Sequence, residues 1–503
     1  MRKIWAAIFG LIILSVSACS DDKDRNPGTP TPEPAPEYLP IAQPEVTLAP
    51  DIGGVLDFGI FDLAAEGFEQ QEYFLSGTGT AFVNLNELQS DGFWEVEPAE
   101  QADYTTRVLV RRPTTAAAFN GTVIVEWMNV SAGFDTTPVW DNTHVEIIRQ
   151  GYAWIGVTAQ RVGVEGREGS IVPFHLKGFN PERYAEISHP GDSFSYDMFS
   201  QVAQAVSEPG DMDLMAGLSA ERVIGAGQSG SAFALTTYIN AVHPVYNPFD
   251  GYMLLSRAEY SFRLATEPQT PIATPSPVFM RTDLNVPVMT IQSETDLLRS
   301  TLNTVTSRQN DTDLLRLWEV AGTSHSDHYS TEAGRTDTGV DPSFSAIVEN
   351  DSVQGFIQCE GPKNSGHLHY AVIAGLANLN QWIIDGTLPP SADYLATNDA
   401  ETDFLVDELG NVLGGVRTPY VDAPAAVLSG LGQSGDSFCG LFGTTALFSA
   451  DQMASLYIDE SGYLEAVTAA ANNAVAAGFL LQEDADLIIA WAPEQWRSQV
   501  ENP

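Results

Sequence analysis

The sequence predicts an α/β protein with a mostly parallel sheet flanked by helices, β additions at its N-terminal end and a helical C-terminal region. From residue 121 to about 340, short apolar runs alternate with helical stretches, which is typical of a parallel sheet. Residues 46–120 contain short β-type runs separated by glycine and asparagine. After about residue 340 the pattern is mainly helical. Hydrophobic residues make up 44% of the 503 positions, enough to bury a large core.

The first 19 residues predict a targeting segment. Two basic residues open it, and residues 4–14 form an apolar run too short for a comfortable membrane span. Small residues at 16–18 precede Cys19, a pattern that resembles the bacterial lipobox, in which the cysteine is lipidated. We therefore expect a lipoprotein signal peptide over 1–19 and a lipid anchor in the cell envelope. Ser20 favours the outer membrane; the alternative is an ordinary signal peptide with a chance cysteine.

The rest of the chain predicts a linker and one large domain. Residues 20–45 are rich in proline and acidic residues, which indicates an extended, solvated linker. The domain over 46–503 divides into a β-rich part (46–120), a catalytic core (121–340) and a mainly helical part (341–503). Strands are expected at 123–127, 153–157, 222–226, 250–255, 286–291 and 315–320, and helices at 138–150, 195–206, 231–242, 369–384 and 463–479.

The charge balance excludes several classes of partner. The chain has 66 acidic against 23 basic residues and a net charge of −43. Such a surface repels nucleic acids and anionic lipid headgroups, so we expect no nucleic-acid partner and membrane contact through the lipid anchor only. We also expect no obligate protein partner. No metal or cofactor motif is found in the sequence, neither paired Cys-x-x-Cys nor His-Glu-x-x-His nor a phosphate-binding lysine loop, so no cofactor and no metal are expected.

With Cys19 assigned to the lipid, two cysteines remain, Cys359 and Cys439. In an oxidising envelope compartment an even pair favours a disulfide. This disulfide would close a loop of about 80 residues and stabilise the native state by about 4 kcal/mol if chain entropy dominates. The alternative is two buried free thiols.

The central motif is GQSGS at residues 227–231, after the strand expected at 222–226. A serine between a strand and a helix is the context of a nucleophile elbow, where small neighbours let strand and helix approach closely. Ser231 replaces the last glycine of the usual pattern and is small enough to fit. We therefore predict Ser229 as the nucleophile; the alternative is an ordinary β–α turn.

A serine hydroxyl needs a base to take its proton and a third group to orient that base. In this arrangement the chain order is serine, acid, histidine. Asp296 lies a few residues past the strand at 286–291, and Glu294 is the alternative acid. His325 lies just past the strand at 315–320 and is the predicted base.

Three other histidines are weaker candidates for the base. His328 is expected to be a solvated loop residue. His367 and His369 precede a helix rather than follow a strand, so a structural role is expected for both. If His369 were the base, the acid would be sought near Asp351.

The oxyanion of a tetrahedral intermediate needs backbone N–H donors. One is expected from Gly230, directly after the nucleophile, and the other from the loop at 128–133, where Val130 is favoured. Asp192 is also a candidate N-cap for the helix expected at 195–206. Eight further residues are expected either to line the pocket or to have a structural role in packing and bracing the fold. They are Trp127, Asn129, Phe134, Trp140, Arg183, Tyr184, His189 and Asp192.

Five segments carry a resemblance to a known family: EWMNVSAG, RYAEISHPGDSFSYDMFSQ, GAGQSGSA, IQSETD and WEVAGTSHSD. They resemble a largely uncharacterised bacterial group of α/β-hydrolase-domain proteins, over about residues 60–495. The resemblance implies the α/β-hydrolase fold and a serine-hydrolase triad, supports Ser229 and His325 directly, and says little about substrate.

The predicted function is hydrolysis of carboxylic esters, small or polymeric, through an acyl-enzyme. The alternatives are a peptidase or amidase with the same triad, and a non-catalytic lipid-anchored binding protein on a hydrolase scaffold.

Replacing Cys19 tests the anchor. Cys19→Ala should release the protein from membranes or block its maturation, because position 19 then has no thiol to carry a lipid. Fractionation of cells that express each form measures this. A variant that still sediments with the outer membrane would show that the lipobox interpretation is wrong.

Overall fold

The computed structural model describes residues 38–501, apart from residues 58, 60, 169, 171, 173, 354–356 and 437. The predicted signal peptide, Cys19 and most of the predicted linker lie outside the described residues. Contacts with the domain begin before the predicted linker end at residue 45. The Tyr38 hydroxyl accepts a hydrogen bond from Asn285 Nδ2 at 3.0 Å, and the Leu39 N–H donates to the Val245 carbonyl oxygen. In this part of the chain no helix has the length and apolar character needed to cross a membrane.

A nine-stranded sheet runs through the described residues. Its strands are β1 (Glu45–Leu48), β2 (Phe68–Asn84), β3 (Val96–Pro113), β4 (Thr122–Trp127), β5 (Ala153–Val157), β6 (Arg222–Gln228), β7 (Gly251–Leu255), β8 (Val288–Ser293) and β9 (Leu315–Val320). Their spatial order is β1-β2-β3-β5-β4-β6-β7-β8-β9. The six strands from β5 to β9 in that order are parallel, whereas β1, β2 and β3 pair antiparallel and β3 joins β5 antiparallel.

Two short hairpins lie in the C-terminal region. They are β10 (Ser352–Val353) with β11 (Ile357–Gln358), and β12 (Ala426–Ser429) with β13 (Thr444–Leu447).

The helices flank the sheet and fill the C-terminal region. They are α1 (Pro138–Gln150), α2 (Arg161–Glu165), α3 (Leu176–Phe179), α4 (Ser195–Ser207), α5 (Gly230–Thr237), α6 (His243–Tyr246), α7 (Glu294–Leu298), α8 (His328–Thr331), α9 (Leu368–Asp385), α10 (Pro419–Asp422), α11 (Ala450–Tyr457), α12 (Glu460–Ala477) and α13 (Gln482–Trp496). Short 3-10 turns lie at Asp192–Phe194, Thr304–Ser307, Ala333–Thr336, Pro342–Ser345 and Cys439–Leu441, and π turns at Tyr238–Val242 and Arg497–Glu501.

The two faces of the sheet bury separate cores. On β4, Val123 and Val125 point into the core that contains residues of α4 and α5. Ile124, between them, points into the core that contains residues of α1 and α9. Because the central strands are covered on both sides, they appear in the sequence as continuous apolar runs.

The strand order confirms the predicted fold class, with two differences of detail. The N-terminal part forms two long strands, since β2 and β3 pair along almost their whole length with a bulge near Thr80. The predicted N-cap role of Asp192 is wrong. Helix α4 begins at Ser195 after a 3-10 turn, and the Asp192 carboxylate accepts the Arg161 N–H at 2.8 Å.

A disulfide joins Cys359 to Cys439 across 80 residues of sequence, with a Cα–Cα distance of 5.5 Å. Both cysteines are buried and pack against Phe442. The bridge therefore ties the segment before α9 to the segment that leads into β13.

Removing both sulfurs tests the contribution of the bridge to stability. Cys359→Ala with Cys439→Ala should lower the free energy of unfolding by up to about 4 kcal/mol, because the unfolded chain loses a long closed loop. Urea unfolding of both proteins measures the difference. Thiol tagging of the exported wild-type protein without reductant should modify neither cysteine, and two reactive thiols would contradict the bridge.

Candidate active site

The nucleophile candidate Ser229 lies on the turn between β6 and α5, with φ of 58° and ψ of −126°. A positive φ is costly for a residue with a side chain, and such strain is typical of a nucleophile elbow. An added Cβ at Gly227 would lie 2.9 Å from the Ser231 Cβ. One at Gly230 would lie 3.2 Å from the Ser131 Oγ, so both glycines lie at close approaches around the serine, and the closer one is at Gly227.

The histidine and acid candidates are hydrogen-bonded to each other. His325 Nδ1 lies 2.6 Å from Asp296 Oδ1, and both side chains are buried. The second carboxylate oxygen, Asp296 Oδ2, accepts the Ser293 N–H at 2.7 Å and the Ser293 hydroxyl at 2.8 Å. The carboxylate is therefore held on both oxygens. The bond at Nδ1 leaves the Nε2 of His325 as the nitrogen that can exchange a proton with a serine.

The alternative acid, Glu294, has different partners. Its two oxygens accept the Gly322 N–H at 2.6 Å and the Gly430 N–H at 2.8 Å. The side chain is fully buried, and this burial raises the pKa of Glu294 to about 7. Glu294 thus ties the end of β8 to the loop after β9 and to a C-terminal loop, and Asp296 is the carboxylate that meets His325.

The loop after β4 lies against the elbow. Asn129 Nδ2 donates to the Gln228 carbonyl oxygen at 2.9 Å, and Asn129 Oδ1 accepts the Ser131 N–H at 2.7 Å. Within the described residues, the Val130 N–H has no hydrogen-bond partner. The Gly230 N–H is at the first position of α5, where backbone N–H groups lack partners inside the helix. Both N–H groups predicted as oxyanion donors are therefore available.

Gln228 is a positioning residue that the sequence did not indicate. Its Nε2 donates to the His325 carbonyl oxygen at 3.0 Å, and its Oε1 accepts Asn142 Nδ2 on α1 at 3.0 Å. The residue before Ser229 therefore holds the histidine loop directly. In the sequence Gln228 occupies the variable position of the serine motif, and a partner 97 residues away leaves no local signal.

The aromatic pocket candidates have packing roles. Trp127 is buried, with its ring 5.2 Å from that of Phe199. Trp140 is buried on the other face of the sheet, where the Arg111 guanidinium lies 4.2 Å from its ring centre. Phe134 is half-buried, with its ring 5.8 Å from that of Phe174.

The polar pocket candidates brace the fold around the N-terminal strands. Arg183 pairs with Glu72 at 2.6 Å, and the Tyr184 hydroxyl donates to the same carboxylate at 2.9 Å. His189 Nε2 lies 2.9 Å from the Ala159 carbonyl oxygen. Within the described residues, no hydrogen bond or ion pair joins these side chains to the serine, the acid or the histidine.

The other histidines are held away from solvent. His328 begins α8 and its side chain is only 17% exposed, so the expectation of a solvated loop residue is wrong. His367 precedes α9, where burial lowers its pKa to about 4. His369 is buried in α9, with its ring 3.4 Å from that of Tyr329. Buried neutral rings of this kind have the structural role expected for His367 and His369. Among the described residues no group of three or more histidines, cysteines or carboxylates is arranged to hold a metal ion.

A mostly parallel sheet with a serine on a strand–helix turn and a histidine after a later strand defines an α/β hydrolase. The chain belongs to the family described as "Alpha/beta hydrolase domain", which matches residues 29–490. The match confirms the predicted fold and family and supports hydrolase activity. A comparison with curated proteins finds no match.

Solved structures with partial likeness include two hydrolases. An α/β serine hydrolase without a lid from Xanthomonas campestris is 13% identical, with a TM-score of 0.27 over 49% of this chain and 86% of that one. A thermostable esterase from Pseudomonas putida is 13% identical, with a TM-score of 0.27 over 52% of this chain and 75% of that one. At these scores neither likeness carries an argument about activity, and the fold assignment depends on the family match and the strand order.

The raised pKa of Glu294 predicts a pH-dependent effect on stability. The ordinary pKa of a glutamate is 4.5, and that of Glu294 in the folded protein is about 7. Between pH 4.5 and about pH 7, the folded protein therefore binds the carboxyl proton of Glu294 more tightly than the unfolded chain does. The contribution of Glu294 to stability therefore falls as pH rises through that window, by about 3 kcal/mol. Glu294→Gln keeps the side chain neutral at every pH and should remove this loss.

Urea unfolding of wild type and Glu294→Gln at pH 5 and pH 8 measures the effect. Relative to wild type, Glu294→Gln should have an unfolding free energy about 2.5 kcal/mol more favourable at pH 8 than at pH 5. Other buried groups titrate in both proteins and cancel in the difference. An equal effect of the substitution at both pH values would contradict the raised pKa.

Proposed function

We propose that this protein is a serine hydrolase that cleaves carboxylic esters through an acyl-enzyme intermediate. The observation that carries the proposal is the His325–Asp296 hydrogen bond of 2.6 Å beside a strained Ser229 elbow. Serine, acid and histidine follow β6, β8 and β9, the chain order of triads in this fold. The lipid anchor predicted at Cys19 would place this activity at the cell envelope.

The first half-reaction forms an ester on the enzyme. The Ser229 Oγ attacks the substrate carbonyl carbon while His325 Nε2 takes the hydroxyl proton. The N–H groups of Gly230 and Val130 donate to the resulting oxyanion. His325 then gives the proton to the leaving alcohol oxygen as its bond to carbon breaks, and the acyl group stays on Ser229.

The second half-reaction repeats these steps with water. His325 takes a proton from water, whose oxygen attacks the acyl carbon, and then returns the proton to the Ser229 Oγ as the acid leaves. Asp296 accepts the Nδ1 hydrogen throughout, which fixes the tautomer that presents Nε2 to the serine. Gln228 donates a hydrogen bond to the backbone carbonyl oxygen of the same histidine. Because Gln228 directly precedes Ser229, this bond fixes the position of the His325 backbone relative to the nucleophile.

Triad substitutions test the proposal on an activated ester such as p-nitrophenyl acetate. Ser229→Ala and His325→Ala should each lower kcat by about 10⁶-fold, and the double variant should cost little more, because the two groups act as one unit. Fluorophosphonate labelling of the wild-type protein should modify Ser229 and should be lost in Ser229→Ala. A wild-type protein that neither labels nor turns over the ester would support a non-catalytic binding protein.

Two further comparisons test which carboxylate is the triad acid and whether esters or peptide amides are the substrates. Asp296→Asn should lower kcat by about 10⁴-fold, whereas Glu294→Gln should change stability more than kcat, because its contacts are with backbone N–H groups. The reverse ranking would assign the acid to Glu294. His328→Ala, three residues after the base, is the matched control and should keep most activity. Faster turnover of peptide amides than of esters would favour the peptidase alternative.

A further inference from the structure

An apolar cluster lies next to the elbow. Phe233, Ala258 and Leu302 are buried, and Phe262 and Leu441 pack against them partly buried. The ring of Tyr260 lies 5.1 Å from that of Phe233, and Tyr260 is 36% exposed. We call Phe233, Tyr260, Phe262, Leu302 and Leu441 the apolar wall. Tyr260, Phe262 and Leu441 keep exposed surface, so this part of the apolar wall can contact a bound apolar group.

One end of the apolar wall touches the nucleophile turn. Phe233 lies one helical turn after Ser229, and its N–H donates to the Ser229 carbonyl oxygen at 3.0 Å. An added Cβ at Gly230 would lie 3.5 Å from the Phe262 Cζ. The tip of the Phe262 ring is therefore beside the residue whose N–H is proposed to bind the oxyanion.

The other end of the apolar wall meets the histidine loop. The Ser326 N–H, directly after His325, donates to the Leu441 carbonyl oxygen at 3.2 Å. Leu441 comes from the C-terminal region, far along the chain from the elbow. The same residue thus supports the histidine loop through its backbone and completes the apolar wall with its side chain.

The disulfide holds Leu441 in this position. Cys439 and Leu441 share the 3-10 turn Cys439–Leu441, and Cys439 is bonded to Cys359. Phe442, which follows, packs on the two cysteines. The covalent bridge therefore fixes the turn that brings Leu441 to the apolar wall.

We propose that the apolar wall is the acyl-binding subsite, that it takes apolar acyl groups larger than acetyl, and that the Cys359–Cys439 bridge holds its Leu441 side. This inference rests on the proposed function. The acyl group is the part of the substrate that stays on Ser229 through both half-reactions. Three members of the apolar wall, Phe233, Tyr260 and Phe262, lie on the nucleophile's helix or pack directly against it.

The experiment measures selectivity between acyl chains with one leaving group. For each variant, kcat/KM is measured on p-nitrophenyl acetate, butyrate and octanoate, and the octanoate-to-acetate ratio is compared. Leu441→Ala and Phe262→Ala should lower the ratio about tenfold, because each removes several carbons of apolar contact. The Cys359→Ala, Cys439→Ala double variant should lower it in the same direction. Partial unfolding does not alter the ratio, since both esters report on the same active fraction.

Leu464→Ala is the matched control, because Leu464 is also a partly buried leucine of the C-terminal region but packs in a different core. Its ratio should equal that of wild type. Unchanged ratios in Leu441→Ala and Phe262→Ala, with normal turnover of acetate, would overturn the subsite and leave the proposed function standing. Absence of turnover of any ester by wild type would instead overturn the proposed function.

Discussion

The hydrogen bond between His325 Nδ1 and Asp296 Oδ1 is the contact on which the rest of the site depends. Its two residues lie beyond the ends of β8 and β9, Asp296 in α7 and His325 in the loop before α8, where no ladder hydrogen bonds set their positions. The Ser293 N–H donates to the other oxygen of the Asp296 carboxylate, and Gln228 Nε2 donates to the carbonyl oxygen of His325. A histidine oriented at the wrong angle is of little use as a base, so these supports matter as much as the pair itself.

Buried glutamates at or just after the ends of three strands accept backbone N–H groups and so hold other segments of the chain. Glu126 on β4 accepts the N–H groups of Val139 and Trp140 at the start of α1, each at 2.9 Å. Glu294 after β8 accepts two loop N–H groups, and Glu319 on β9 accepts the Leu395 N–H at 2.8 Å. Burial raises the pKa of all three carboxyl groups, which is the cost of using a charged group as a loop anchor.

Local patterns predicted the strands and the serine turn, because apolar runs and small-residue motifs are encoded within a few residues. They could not separate Asp296 from Glu294, since both lie in the first turn of α7 and only the partner across the fold distinguishes them. For Trp127 both a pocket and a core position were expected from the sequence, and the alternation that it shares with Val123 and Val125 is the local signal for the core. Leu441 and Gln228 carried no local signal, because their partners lie far away in sequence.

Strands before the parallel core and loops after it are both linked to the loops that carry the site. From the N-terminal strands, Glu72 pairs with Arg107 at 2.7 Å, and Arg107 lies 3.6 Å from Asp135 in the loop that also contains Val130. From the C-terminal region, Gly430 donates to Glu294 and the Leu441 carbonyl oxygen accepts the Ser326 N–H. The N-terminal contacts therefore brace the loop proposed to bind the oxyanion, and the C-terminal contacts brace the acid and histidine loops. Loss of either region would loosen a different part of the same site.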